Sequence, residues 1–409
     1  SSTSVLRYIS LLPATKTLTP VEHGSLGGEM EEDRKKGSFD EAEKRKAIQK
    51  LQDLIVQGDK VVLLGAGASK CSGLPLIADL TANALSSKAL RDDSKKVLGA
   101  VQKSFEGEGI STIEDYLSEL VDHLAVLDRR KARGASGSTI AISGSEFTRE
   151  QISAAIEDVK KSIHDQIAIQ AAVETHRRFV QCLHRPTRPG KKGSWQKVDY
   201  LLLNYDTLIE DALALERIPY ADGFEGGATG WWNPQVYDKD DKYGRVFKLH
   251  GSINWREMNG EEFPRRLGPA IPQNNQMGIV IWPASTKYRE TQLDPFATLM
   301  EYARRVLRPL PGRQRVLLVC GYSFSDAHID IEIDRALRAS EGNVTVIVFT
   351  YDDRPMKIVE KWHNDPDLSH QVIVFSRRGL FHGEKWLTSD ADISWWKFEE
   401  VVRLLEGET

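Results

Sequence analysis

The 409-residue chain has three cysteines, Cys71, Cys182 and Cys320, all far apart. They exclude a disulfide framework and a four-cysteine zinc site, and a reducing cytoplasm is the expected setting. No apolar run is long enough to span a bilayer, and the start of the chain lacks the charged-then-apolar pattern of a signal peptide. Excess positive charge is missing too: the formal net charge is -4. Direct binding to nucleic acid or to an anionic membrane is therefore not expected. A Gly-x-x-x-x-Gly-Lys-Ser/Thr loop is absent, so the chain carries no recognisable ATPase motif of its own. Internal repeats are absent as well.

What remains is an ordinary globular composition, 40% hydrophobic and 28% charged, able to bury a sizeable core. The segment Val61 to Pro75 organises it. Val61–Leu64 is a short apolar run suited to a strand buried on both faces. Gly65 and Gly67 come next, and their small size permits a tight turn and close approach of backbone N–H groups to an anion such as a pyrophosphate. The third glycine of the usual dinucleotide fingerprint is missing: Lys70 stands there, and the next glycine is Gly73. The glycines alone fit either a nucleotide-binding loop or an unremarkable turn.

Further apolar runs predict strands at Val198–Leu203, Val246–Leu249, Ile279–Trp282, Val316–Cys320, Val344–Phe349 and Val372–Phe375. Helical spacing predicts helices at Phe39–Val56, Leu76–Leu85, Asp92–Phe105, Asp294–Leu307, Asp326–Ala339 and Ser394–Leu405. Ser111 with Glu114 reads as a capping box opening a helix through Leu127. Thr148 with Gln151 reads as another, opening one long helix to about His184. Gly134–Ser145 reads as a flexible loop, Arg185–Trp195 as a basic solvated loop and Asn259-Gly260 as a hairpin turn. Strands alternating with helices predict an α/β fold: an open, mostly parallel Rossmann-like sheet with helices on both faces, plus a helical insertion. The expected division is an extended N-terminal arm (1–40), a first part of the sheet domain (41–89), the helical insertion (90–195) and the remainder with its C-terminal helix (196–409).

Polar residues stand where four of these strands end, the edge at which such sheets bind ligands. They are the Gly65 turn, Asn204-Tyr205-Asp206, His250 and Gly321-Tyr322-Ser323. Each also has a plain structural reading: Asn204, Asp206 or Asp326 as helix caps, His250 and Ser323 as turn residues. For Asp326 the cap is the preferred reading. The histidines of the predicted insertion lack Cys or carboxylate partners at metal-ligand spacing and read as surface or packing residues.

The string Gly65-Ala66-Gly67-Ala68-Ser69 with the later Ser72-Gly73-Leu74-Pro75 resembles the first NAD-binding loop of the sirtuin family. Leu203-Asn204-Tyr205-Asp206, Lys248-Leu249-His250-Gly251-Ser252 and Gly321-Tyr322-Ser323-Phe324-Ser325-Asp326 resemble later sirtuin motifs, in the same order. In detail they look more like the divergent bacterial sirtuin-like NAD hydrolases of anti-phage defence than like protein deacylases. The resemblance spans about residues 61–326. It implies NAD as substrate, catalytic Asn204, Asp206 and His250, and NAD-binding Gly65, Ala66, Gly67, Ser69, Gly321 and Ser323, with Ser69 and Ser323 toward the adenosine. It also implies that Asp206 accepts from the nicotinamide carboxamide. The chain departs from sirtuins in two places. Leu76, Ile77 and Ala78 replace an acidic-aromatic-Arg run, and the two cysteine pairs of the sirtuin zinc module are missing, so no metal is expected.

The chemistry is set by the substrate. Cleaving the nicotinamide–ribose bond builds oxocarbenium character on the sugar, much as glycoside hydrolysis does. It needs a pyrophosphate clamp, a grip on the leaving nicotinamide and a base near the ribose, and imidazole titrates near neutral pH. The expected activity is NAD hydrolysis to nicotinamide and ADP-ribose in anti-phage defence. A homo-oligomer is expected, together with a hexameric ATPase or another defence partner supplied in trans. The rival expectations are transfer of acyl or ADP-ribosyl groups to a protein and a non-catalytic NAD-binding subunit.

Overall fold

The computed structural model describes residues 35–105, 111–135, 137–185, 195–258, 260–268, 278–281 and 294–407. Most of the expected N-terminal arm, most of the basic Arg185–Trp195 loop and the Asn259 half of the expected hairpin turn lie outside them. The chain divides into Ser1–Lys35 and Lys36–Thr409, and the second unit carries the fold.

Its main sheet has ten strands in the order β1 (Lys35–Ser38), β17 (Lys385–Thr388), β16 (Gly379–His382), β15 (Val372–Ser376), β14 (Val344–Thr350), β13 (Arg315–Cys320), β2 (Asp59–Leu64), β5 (Val198–Leu202), β9 (Gly244–Lys248) and β6 (Tyr220–Ala221). Strands β15 to β6 of that order pair parallel throughout, and β16 and β17 fold back antiparallel. A parallel sheet with both faces covered needs apolar residues on each face, and the central strands supply them. Val61 and Leu63 enter the core on one face and Val62 and Leu64 the core on the other, as the two-residue strand period requires. Helices Glu41–Gln57, Glu174–His184, Leu208–Leu215 and Phe398–Glu406 cover one face, and Phe296–Leu307, Ala327–Ala339 and Lys357–Asn364 the other. The fold is α/β and Rossmann-like, as expected.

Two smaller sheets accompany it. β12 (Gly278–Ile281), β10 (Gly251–Glu257), β11 (Arg265–Arg266), β8 (Gly230–Trp232) and β7 (Phe224–Gly226) form an antiparallel sheet directly after His250. β3 (Thr139–Ile142) and β4 (Ser145–Thr148) form a hairpin whose first strand and turn fall in Gly134–Ser145, the segment expected from sequence to be a flexible loop. Ser143 and Gly144 turn it with φ of 46° and 81°, the two positive values a tight hairpin turn needs. Ile142 and Phe147 anchor it to the helical core.

The expected single helix to His184 is two helices, Arg149–Ile167 and Glu174–His184. Each serves a different core. Ile152, Ile156, Ile163 and Ile167 pack with the inserted helices, whereas Phe179, Val180 and Leu183 pack under the main sheet. No straight helix could point one apolar stripe at both. The Thr148–Gln151 capping box forms as expected. The other box is Thr112 with Asp115, one residue later than expected, which leaves Glu114 to meet Tyr205.

His184 is buried beside β5, with Nε2 2.9 Å from the Tyr200 hydroxyl and Nδ1 2.7 Å from the Gln196 carbonyl. Burial pushes its pKa down to about 4. Between pH 6.5 and about 4 the unfolded chain therefore binds a proton that the native state refuses. Stability is full above that window and falls as the pH drops through it. Urea melts at pH 7 and pH 4.5 should show this loss, and a His184→Gln variant should lose less over the same interval.

Candidate active site

The chain leaves β2 for β5 and β9 on one side and returns to β13, β14 and β15 on the other. The switch point between β2 and β13 is where an open parallel sheet leaves a crevice at its carboxyl edge. The Gly65 turn and the Gly321 turn meet there. Gly65 N–H donates to the Cys320 carbonyl and Gly67 N–H to the Gly321 carbonyl, each at 3.0 Å. A Cβ on Gly321 would lie 2.2 Å from the Ala68 nitrogen, and one on Gly67 2.7 Å from the Gly321 Cα. The glycines are thus explained first by backbone packing against backbone. The segment after Gly65, Ala66–Ser72, is a short 3-10 helix. Gly321 also has φ 64°, so Gly321→Ala combines a strained backbone with a steric clash. A loss of at least about 2 kcal/mol is expected in denaturant melts.

The end of β5 supplies a directed polar relay. Ser69 Oγ donates to Asp206 Oδ2 at 2.7 Å, and Asn204 Nδ2 donates to Ser69 Oγ at 2.6 Å. An ionised carboxylate only accepts, so the serine proton goes to Asp206 and the serine oxygen accepts from the Asn204 amide. This fixes the orientation of that amide. Asn204 Oδ1 is left buried with no hydrogen-bond partner among the described residues. Asp206 Oδ1 accepts at 3.1 Å from Leu208 N–H, the first N–H of the following helix, whose N-cap residue is Thr207.

Ser72 Oγ lies 3.2 Å from Nδ1 of His176, whose burial pushes its pKa down to about 4 despite the nearby Asp206 charge. Lys248, at the end of β9, donates from Nζ to the Asp206 carbonyl and sits 3.6 Å from Glu210 Oε1. Burial pushes the Glu210 carboxyl up to about 7 against the pull of Lys248.

The Asn204–Asp206 turn is tied to its neighbours on two sides. The Tyr205 carbonyl accepts from Ile253 N–H at 2.9 Å and Ser252 Oγ at 3.2 Å, and its hydroxyl donates to Glu114 Oε1 at 2.8 Å. The second tie joins that turn to the inserted helices, and the Tyr205 ring packs in their core.

His250 comes just after β9 and is 4% exposed. Its Nε2 lies 3.0 Å from Asp326 Oδ2. Asp326 also accepts from His328 N–H through Oδ1, so it caps Ala327–Ala339 while holding His250. Sequence alone points only to the cap. Asp326 N–H donates to the Tyr322 hydroxyl, which donates to Asp330 at 2.8 Å. Burial pushes the Asp330 carboxyl up to about 6. With Asp326 accepting from Nε2–H, the basic lone pair of neutral His250 falls on Nδ1.

Ser69, expected toward the adenosine, is buried within the relay. Ser323 is exposed, with Oγ 2.9 Å from Ser325 Oγ and its carbonyl accepting from Lys357. A cleft of about 560 Å³, lined by Leu74, Ile167, Val173, Asp206, Leu208 and Ile253 among others, opens beside the relay. Sequence reasoning quotes Lys248 within a motif but gives it no role, and misses Glu210; the signal for the lysine is its place at an otherwise apolar strand end.

Among the described residues, no group of three or more His, Cys, Asp or Glu side chains is placed to hold a metal ion, and no helix is long and apolar enough to cross a membrane. No curated protein matches the chain. Residues 200–369 match the family model of the SIR2-like domain, and that span holds Asn204, Asp206, His250, Gly321 and Ser323. The match lies on the Rossmann-like sheet and supports a sirtuin-like domain over those residues, which points to an NAD-dependent enzyme in general.

Proposed function

We propose that the chain hydrolyses NAD to nicotinamide and ADP-ribose. The observation that carries this reading is the buried Asn204 Oδ1, without a hydrogen-bond partner among the described residues and held in place by Ser69 and Asp206. A buried acceptor without a partner costs about 1–3 kcal/mol, which a ligand hydroxyl or water can recover by donating to it. Cleavage of the nicotinamide–ribose bond offers both donors: a ribose hydroxyl in the substrate and the attacking water.

In this reading His250, oriented by Asp326, takes the proton from that hydroxyl or water as positive charge grows on the sugar. The crevice at the β2–β13 switch point receives the pyrophosphate, with Gly65, Ala66, Gly67 and Gly321 forming its floor and Ser323 at its outer rim. The cleft beside Asp206 takes the departing nicotinamide.

The path of the chain after His250 favours water as acceptor. There β10 runs into a packed antiparallel sheet, with Gly251 so close to β12 that a Cβ would lie 2.2 Å from the Val280 carbonyl. The cysteine pairs of the sirtuin zinc module are missing from the sequence. The defence role, an oligomeric assembly and a partner in trans belong to the same proposal and rest on the sequence resemblance. Incubating the full chain with NAD, alone and with proteins encoded beside it, and separating the products tests the activity. Equal amounts of nicotinamide and free ADP-ribose are expected. Nicotinamide release that requires an acylated peptide would instead favour the deacylase.

A further inference from the structure

Lys248 is the unexplained charge of the site. It ends β9 two residues before His250, is 1% exposed, and donates from Nζ to the main-chain carbonyl of Asp206. Its other neighbour is Glu210 on the helix Leu208–Leu215, which follows Asp206, with Oε1 at 3.6 Å. Glu210 Oε2 is buried with no hydrogen-bond partner among the described residues. A buried lysine and glutamate are costly to desolvate, and an apolar pair of similar size would pack at least as well. Stability alone therefore does not account for them. What the lysine does is geometric. It links the strand that delivers His250 to the turn that delivers Asn204 and Asp206.

We propose that Lys248 is a positioning residue for NAD cleavage, clamping the Asp206 carbonyl so that the Asn204–Ser69–Asp206 relay is held in register with His250, while Glu210 balances its charge. The proposal rests on the NAD-hydrolase reading. The clamp acts on the main chain, so its loss displaces the Asn204 acceptor without removing any group that touches substrate. A displacement of about 1 Å costs on the order of a hundredfold in rate, while binding contacts made by the glycine turns persist.

Three variants separate positioning from plain structure. Lys248→Met keeps the volume and removes the clamp. It should bind NAD within about threefold of wild type by calorimetry and release nicotinamide at least about thirtyfold more slowly at saturating NAD. Lys248→Met with Glu210→Gln removes both charges. It should melt close to wild type and stay as slow as the single variant. Glu210→Gln alone retains the clamp: it should melt lower, because Lys248 loses its buried counter-charge, while the folded variant stays within about fivefold of wild-type turnover.

A double variant that regains turnover along with stability would overturn the proposal. So would Glu210→Gln losing as much rate as Lys248→Met, or Lys248→Met losing NAD binding in step with rate. If wild type releases no nicotinamide, the hydrolase reading fails and this proposal with it. If wild type is active and the double variant equally so, only the proposal fails.

Discussion

His250→Ala should lower nicotinamide release by roughly 10²–10⁴, the usual contribution of a general acid–base group, while the variant binds NAD and folds. The expectation rests on where the imidazole sits. It lies just beyond β9, is almost fully buried, and has Nε2 3.0 Å from a buried carboxylate. Such a carboxylate fixes ring and tautomer and stabilises the imidazolium that forms when the ring takes a proton.

Asp326 allows a sharper version. Asp326→Asn retains a good helix cap, because asparagine caps about as well as aspartate. It removes the negative charge facing His250. Thermal melting should therefore change little while turnover falls by about 10² or more. If Asp326 matters only as a cap, Asp326→Asn keeps full activity. If His250 is only a turn residue, His250→Ala does too. Nicotinamide release and a melt on the same preparation read both.

Asn204→Ala is expected to separate binding from cleavage. One hydrogen bond is worth about 0.5–1.5 kcal/mol net, so NAD affinity should stay within roughly tenfold. Cleavage should fall by about 10² or more, because the lost Oδ1 is the acceptor proposed to position a ribose hydroxyl or water in the transition state. The variant also deprives Ser69 Oγ of its donor, so Ser69→Ala is the companion. Ser69→Ala frees the Asn204 amide to rotate and present nitrogen where oxygen stood. It should reproduce part of the rate loss with NAD binding retained. Calorimetry and product analysis read these effects. Equal losses of binding and rate in Asn204→Ala would make Asn204 a binding residue.

These residues are legible in the sequence because each sits just beyond an apolar strand, and strand ends in a parallel sheet share one edge. Leu201–Leu203 before Asn204 and Leu317–Val319 before Gly321 are short, unbroken apolar runs, a pattern that local sequence carries well. What sequence does not carry is pairing across the fold. Ser69 to Asp206, His250 to Asp326 and Lys248 to Glu210 join elements that only the strand order brings together. Asp326 shows the difference within one residue. Its capping role is local and visible in the sequence; its hold on His250 spans 76 positions and is not. The break near Ala168–Val173 is hidden for a similar reason. Apolar spacing continues through Ile167 and Ala171 to Phe179, and only the presence of two separate cores requires a corner. Ser143-Gly144 turns the expected loop into a hairpin because its flanking Ile142 and Phe147 find a core contributed by distant helices.

The central claim is that water takes the ADP-ribosyl group, and heavy-oxygen water tests it most directly. The full chain is incubated with NAD in that solvent, and the products are resolved by mass spectrometry before the label can exchange. The account predicts free ADP-ribose carrying one heavy oxygen at the anomeric carbon, formed in step with nicotinamide and lost in His250→Ala. Nicotinamide release with unlabelled product, or with ADP-ribose joined to protein or to an acyl group, would contradict it.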